Sequence, residues 1–307
     1  MRLLPRNPPD LCPPRERRGM KELATGFRIL ALAAWTAALV GNAHGEIVRA
    51  FVSIPPQLEF VRKIGGDRVA VEVLLARGQS PHSFDPPPRT VARLGESRFF
   101  FRAGVPYEDR LAGRLTELFT GLEVVDTREG IELRDIGGGR DGEGDDPHTW
   151  LDPKLVKIQT QTICEALIRA DRACAATYRA NLASYHRELD SLSSEIGGLL
   201  APYRGRSVYV HHPAFGYFLD AFGLGQEAVQ LGGREPSARE LAALVDKMRA
   251  ERVRTLFVQP EFPSPVADAL SMALDCKVVR IDPLAPDYMD NLRRMAALIA
   301  GALARQN

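Results

Sequence analysis

An α/β chain built as two lobes, each a mostly parallel sheet flanked by helices and joined by one long helix, follows from three features of this 307-residue sequence. Short apolar runs alternate with stretches of helical periodicity in two separate series, the rhythm of strand–helix–strand units. Between the series, Ala173 to Leu200 contains no Pro, and no Gly before Gly197. Several expected strands end at a histidine or aspartate set against proline, where open parallel sheets place their ligands.

The first lobe is expected over residues 46–172. Ile47–Val52 reads as a buried strand, and Pro56–Ile64 has helical spacing through Leu58, Phe60, Val61 and Ile64. Val69–Leu75 and Arg98–Arg102 read as strands, Leu111–Leu118 as a helix and Leu122–Val125 as a strand. Gly137–Asp146 is acidic, glycine-rich and without histidine, so it reads as a solvated linker. The joining segment spans residues 173–203. Tyr178, Leu182, Tyr185, Leu189 and Leu192 keep the helical period there, and at 1.5 Å per residue the helix runs about 40 Å. The second lobe is expected over residues 204–307. Its elements are a strand at Ser207–Val210, a helix at Ala214–Ala221, a short strand at Ala228–Leu231, and a helix at Ser237–Ala250 opened by a Ser237/Glu240 capping box. A strand at Arg254–Val258, a helix at Pro265–Leu274, a strand at Lys277–Ile281 and a helix from Asp287 to Ala304 complete it.

Residues 1–45 read as a cleavable leader. Arg15, Arg17, Arg18, Lys21 and Arg28 precede an apolar run from Ile29 to Val40, then Asn42-Ala43-His44-Gly45. The run is shorter than the ~20 residues a membrane span takes, and Met20-Lys21 makes a more ordinary start for such a leader. This segment holds 7 Lys/Arg against 3 Asp/Glu, a balance of +4, so the remainder carries −3 of the chain's net +1. A slightly acidic exported chain has no basic stripe for nucleic acid. Of the 4 cysteines, none forms a C-x-x-C pair, which argues against thiolate metal chemistry. No cysteine follows the apolar run closely enough for lipid attachment. Cys164 and Cys174 flank a turn between two helices and fit either a disulfide or two small buried residues; Cys276 then remains a thiol.

Metal-ligating side chains are spread over most of the chain. His82 lies in Ser80-Pro81-His82-Ser83-Phe84-Asp85-Pro86, where Pro86-Pro87-Pro88 fixes the exit direction. His148 stands in Asp145-Asp146-Pro147-His148-Thr149-Trp150-Leu151-Asp152-Pro153, beside a tryptophan suited to excluding water. Asp146 is placed to orient an imidazole, whereas Asp152 reads as a helix N-cap. His211 and His212 end a strand, and because successive side chains point to opposite faces one enters the cleft. His212 is taken as that ligand and His211 as a packing or surface residue. Asp282 ends the strand before Pro283, in preference to Asp275, Asp287 and Asp290. His186 reads as a solvated helix residue. Three imidazoles and one carboxylate make a tetrahedral set suited to zinc.

The chain resembles the metal-binding receptors of zinc and manganese ABC importers. Gly78–Pro88, Asp146–Pro153, His212–Tyr217, Glu235–Leu241 and Ile281–Leu284 carry the resemblance, in order along nearly all of the chain after the leader. It implies that His82, His148, His212 and Asp282 hold one transported zinc ion between the lobes. It also implies a periplasmic monomer that delivers the ion to an ABC permease and its ATPase, with a zinc chaperone as a further partner. Histidine at position 212 resembles the zinc branch; a manganese or iron receptor is the alternative. An exported zinc hydrolase would need an open coordination position and an adjacent general base, and no H-E-x-x-H helix exists. A four-ligand site therefore favours transport over catalysis or adhesion.

Overall fold

The computed structural model describes residues 46–136, 144–230, 234–261 and 265–306. The expected leader and residues 137–143 of the Gly137–Asp146 linker lie outside them. Among the described residues, eight strands form two four-stranded sheets, parallel throughout.

The first sheet comprises β1 (Val48–Val52), β2 (Val69–Val73), β3 (Phe99–Arg102) and β4 (Glu123–Asp126), in the order β2-β1-β3-β4. Helices α1 (Pro56–Gly65), α2 (Pro88–Gly95) and α3 (Pro106–Leu118) connect them. Parallel strands covered on both faces are apolar throughout rather than alternating. The inner strands obey this: Phe99, Phe100 and Phe101 are all buried, with Phe99 registered against Ala50. Helix α4 (Pro153–Ala170) follows, capped by the Asp152 carboxylate, which accepts from Lys154 N at 2.8 Å.

The 26-residue helix α5 (Ala175–Leu200) is extended at each end by a 3₁₀ turn, Arg172–Cys174 and Ala201–Tyr203. It buries the expected stripe from Tyr178 to Leu192 and continues it through Ile196 and Leu200. The second sheet comprises β5 (Ser207–Val210), β6 (Gly225–Ala228), β7 (Thr255–Val258) and β8 (Lys277–Arg280), in the order β6-β5-β7-β8. Its helices are α6 (Gly216–Ala221), α7 (Ala238–Ala250), α8 (Pro265–Leu274) and α9 (Tyr288–Ala304). The Ser237/Glu240 capping box is formed.

Both sheets share one strand order, so each has a switch point where the chain reverses direction across the sheet. In the first sheet the crevice beyond β1 and β3 is filled from within. There Glu108 accepts from Ser53 Oγ, from Ala103 N at 2.8 Å and from Gly104 N at 2.8 Å. In the second sheet the corresponding crevice beyond β5 receives His212.

One hydrophobic core runs through the first sheet, helix α5, helix α9 and part of the second sheet. Phe60 of α1 meets Tyr288 of α9 edge to face, centroids 4.9 Å apart. Glu59 accepts the Tyr185 hydroxyl at 3.2 Å, and the backbone of Met289 and Tyr288 draws its pKa down against the larger effect of burial. A carboxyl of α1 thus faces the first turn of the last helix, whose own N-cap residue makes no side-chain cap bond. A smaller apolar cluster underlies α7 and α8.

Several expectations change. Strand β6 runs Gly225–Ala228 instead of Ala228–Leu231; at a sheet edge its half-exposed polar residues need no apolar run. Helix α2 begins where the sequence predicts only a proline-fixed exit; Pro at the first helical position is itself a helix start. His186 is not simply solvated: it is half-buried and its Nε2 lies 3.0 Å from Thr160 Oγ1. Cys164 and Cys174 are free thiols, so no disulfide joins them here. Cys164 is buried in the core of α4, while the Cys174 thiol interacts with the Asp171 carboxylate.

Candidate metal centre

Each sequence-selected residue lies beyond the carboxyl end of a strand. His82 follows β2, His148 follows β4, His212 follows β5 and Asp282 follows β8.

The His82 loop is anchored below its ligand side chain. Phe84 N donates to Ser80 O at 3.0 Å, closing the turn. Phe84 itself is buried edge to face on Tyr107, centroids 4.9 Å apart, and its carbonyl accepts from Arg110 Nη2 at 3.1 Å. The imidazole stays at the surface while its neighbours are fixed. His148 is held by Asp146, whose Oδ1 lies 2.6 Å from Nδ1 and accepts His148 N at 3.0 Å. With the proton on Nδ1, Nε2 is free to coordinate. Trp150, 1% exposed, lies beside it with ring centroids 5.2 Å apart. The Trp150 indole also donates to Pro283 O at 2.8 Å. That bond ties the His148 loop to the Asp282 loop.

His212 is 2% exposed, and its Nδ1 lies 2.9 Å from Gln230 Oε1. Its Nε2 lies 3.3 Å from His82 Nε2. Two nitrogens each bound at ~2.0–2.1 Å to one tetrahedral zinc stand roughly 3.3–3.4 Å apart, so this pair already has the spacing of two ligands. The His148 and His212 rings are 5.6 Å apart. Burial, then the charge of His148, pushes the His212 pKa down to about 3. Desolvation and then His148 lower that of His82 as well. His212 therefore stays neutral, the form that binds a metal, and His82 is biased toward that form.

Asp282 Oδ1 accepts Leu284 N at 2.8 Å, and the residue lines a cavity of about 640 Å³ with Arg77, Arg280 and Arg294. Burial raises its pKa, against the backbone bond and Arg77. The structure thus gathers His82, His148 and His212 but brings Asp282 to none of them through a described bond. Among the described residues, no group of three or more His, Cys, Asp or Glu side chains is arranged to hold an ion as it stands. Sequence reasoning missed Glu261, whose carboxyl is pushed up to about 7 by burial and by the charge of Asp282. Its place just beyond β7 is the signal that was available. His211 is a buried packing residue, with Nε2 3.5 Å from Glu235 Oε1.

Trp150→Phe removes the indole donor that joins the two loops. It is expected to lower the unfolding free energy by about 1–3 kcal/mol, as measured by chemical denaturation of the metal-free protein.

Two parallel α/β lobes on a long helix, with imidazoles from both converging beyond the strand ends, define a metal-binding solute receptor of the ABC-importer type. The chain belongs to the ZnuA family, zinc-uptake complex component A periplasmic, whose model matches residues 51–302. The high-affinity zinc uptake system protein ZnuA of Paracoccus denitrificans is 29% identical over 319 residues, covering 90% of this chain and 97% of the relative. Two solved structures share 34% identity and a TM-score of 0.79 over 84% of this chain. One is a crystal structure of ZnuA, 99% covered, and the other a ZnuA 138–173 deletion mutant with zinc bound, 98% covered.

Proposed function

We propose that this protein binds one zinc ion between its lobes through His82, His148, His212 and Asp282 and delivers it to an ABC permease powered by its ATPase. The observation that carries the reading is the 3.3 Å separation of the His82 and His212 Nε2 atoms, contributed by opposite lobes. Family membership supports a transport role rather than an enzymatic one. A cleaved leader over residues 1–45, a monomeric periplasmic form and loading by a zinc chaperone complete the proposal.

A nitrogen-rich site favours zinc over manganese in the Irving–Williams order. A manganese or iron receptor draws support from one feature, the Glu261 carboxyl on which the charge of Asp282 acts, since oxygen donors suit manganese. Competition titration with a chromogenic chelator separates the two. One zinc per chain is expected, bound much more tightly than manganese. Equal or tighter manganese binding would overturn the zinc assignment.

A further inference from the structure

We propose that Gln230, locked by Glu235, is the positioning residue that decides which ring nitrogen His212 presents to the ion. The inference rests on the zinc reading above and adds to it a device for setting the ligand's tautomer.

The chain of bonds has one consistent direction. An ionised carboxylate offers only acceptors, so the Gln230 group facing Glu235 Oε1 at 2.8 Å is the amide nitrogen. The amide oxygen is thereby left for His212 Nδ1, at 2.9 Å. An oxygen there demands a proton on Nδ1, which leaves Nε2 bare. Nε2 is the atom 3.3 Å from His82 Nε2. The backbone of Gln230 is fixed as well: its N–H donates to His211 O at 2.9 Å, continuing the β5–β6 ladder past the last paired residues. His211 Nε2 lies 3.5 Å from the Glu235 oxygen that accepts from Gln230 and backs it from inside the lobe.

Glu235 is needed because an amide, unlike a carboxylate, has two different ends. Asp146 can turn over without changing what His148 meets, since both of its atoms accept. Gln230 turned over would aim its NH₂ at Nδ1 of His212. The imidazole would then move its proton to Nε2 and block the coordinating nitrogen. Glu235 removes that state by accepting from the amide nitrogen alone.

The test combines imidazole ¹⁵N shifts of the metal-free protein with zinc affinity by chelator competition, for unmodified protein, Glu235→Ala, Glu235→Asp and Gln230→Leu. His212 is expected as the Nδ1–H tautomer in unmodified protein and as a mixture in Glu235→Ala, with zinc affinity about 10–100-fold lower. Glu235→Asp keeps a carboxylate, both of whose oxygens accept, so tautomer and affinity should stay closer to those of unmodified protein than in Glu235→Ala. Gln230→Leu should follow Glu235→Ala. The inference is overturned if Glu235→Ala keeps both tautomer and affinity, or if Glu235→Asp falls as far as Glu235→Ala. Should Glu235→Ala not fold, Gln230→Leu against Glu235→Asp makes the same comparison. An unmodified protein that binds no zinc would overturn the zinc reading, while the tautomer comparison would still stand or fall by itself.

Discussion

His212→Ala is expected to weaken zinc binding by more than about 100-fold, beyond the 10–100-fold typical of losing a partner behind a ligand. His211→Ala should cost about tenfold or less. Both side chains are buried to the same extent, so burial does not separate them. Direction does: the Nε2 of His212 faces His82, whereas that of His211 faces Glu235. Removing His212 deletes one of the two nitrogens already at ligand spacing. Removing His211 only loosens the support of Glu235. Isothermal titration of zinc into the two variants decides the matter. A larger loss at His211 would mean that the ligand register is displaced by one residue.

Zinc affinity is expected to fall as the pH drops from 7 to 5, but by less than three competing imidazoles would impose. Full competition at three ordinary histidines, with pKa near 6.5, would cost up to about three decades per pH unit. His212, held near 3, carries no proton to displace in this window. His82 is lowered too and gives up part of its contribution. The slope of log affinity against pH should therefore stay below about two. A chelator competition series from pH 7 to pH 5 measures it, and a slope near three would contradict the neutral state assigned to His212. The same depression has a consequence for the metal-free protein. Between about 6.5 and 3 the unfolded chain protonates this histidine and the folded chain does not, so protons favour unfolding. Melting temperatures of the metal-free protein should fall with pH across that interval.

The parts of the fold that were legible were those where one local signal sufficed. Helix α5 showed its buried stripe directly, and the capping box at Ser237 marked the start of α7. Inner strands such as Phe99–Arg102 announced themselves by apolar runs. Edge strand β6 did not, because a half-exposed strand can carry Gly-Gln-Glu without penalty. The three histidines were legible because each follows a strand end and is framed by proline. Asp282 was equally visible in sequence, but the surroundings that folding gives it, the Arg77 charge and the 640 Å³ cavity, are encoded by no sequence pattern. Gln230 and Glu261 matter only through groups brought near by folding, His212 for one and Asp282 for the other.

The dry core shared by the first sheet, α5, α9 and part of the second sheet bears on how a membrane partner could tell a loaded receptor from an empty one. Swinging the lobes apart would expose apolar surface at roughly 25 cal/mol per Å² and break the Trp150–Pro283 bond, so a large lobe motion on loading is costly. Zinc itself adds two units of charge at the tips of a few loops. Discrimination by the partner is then expected to be electrostatic and short in range. With a screening length of about 8 Å at physiological ionic strength, it should weaken as salt is added even while the ion itself stays bound.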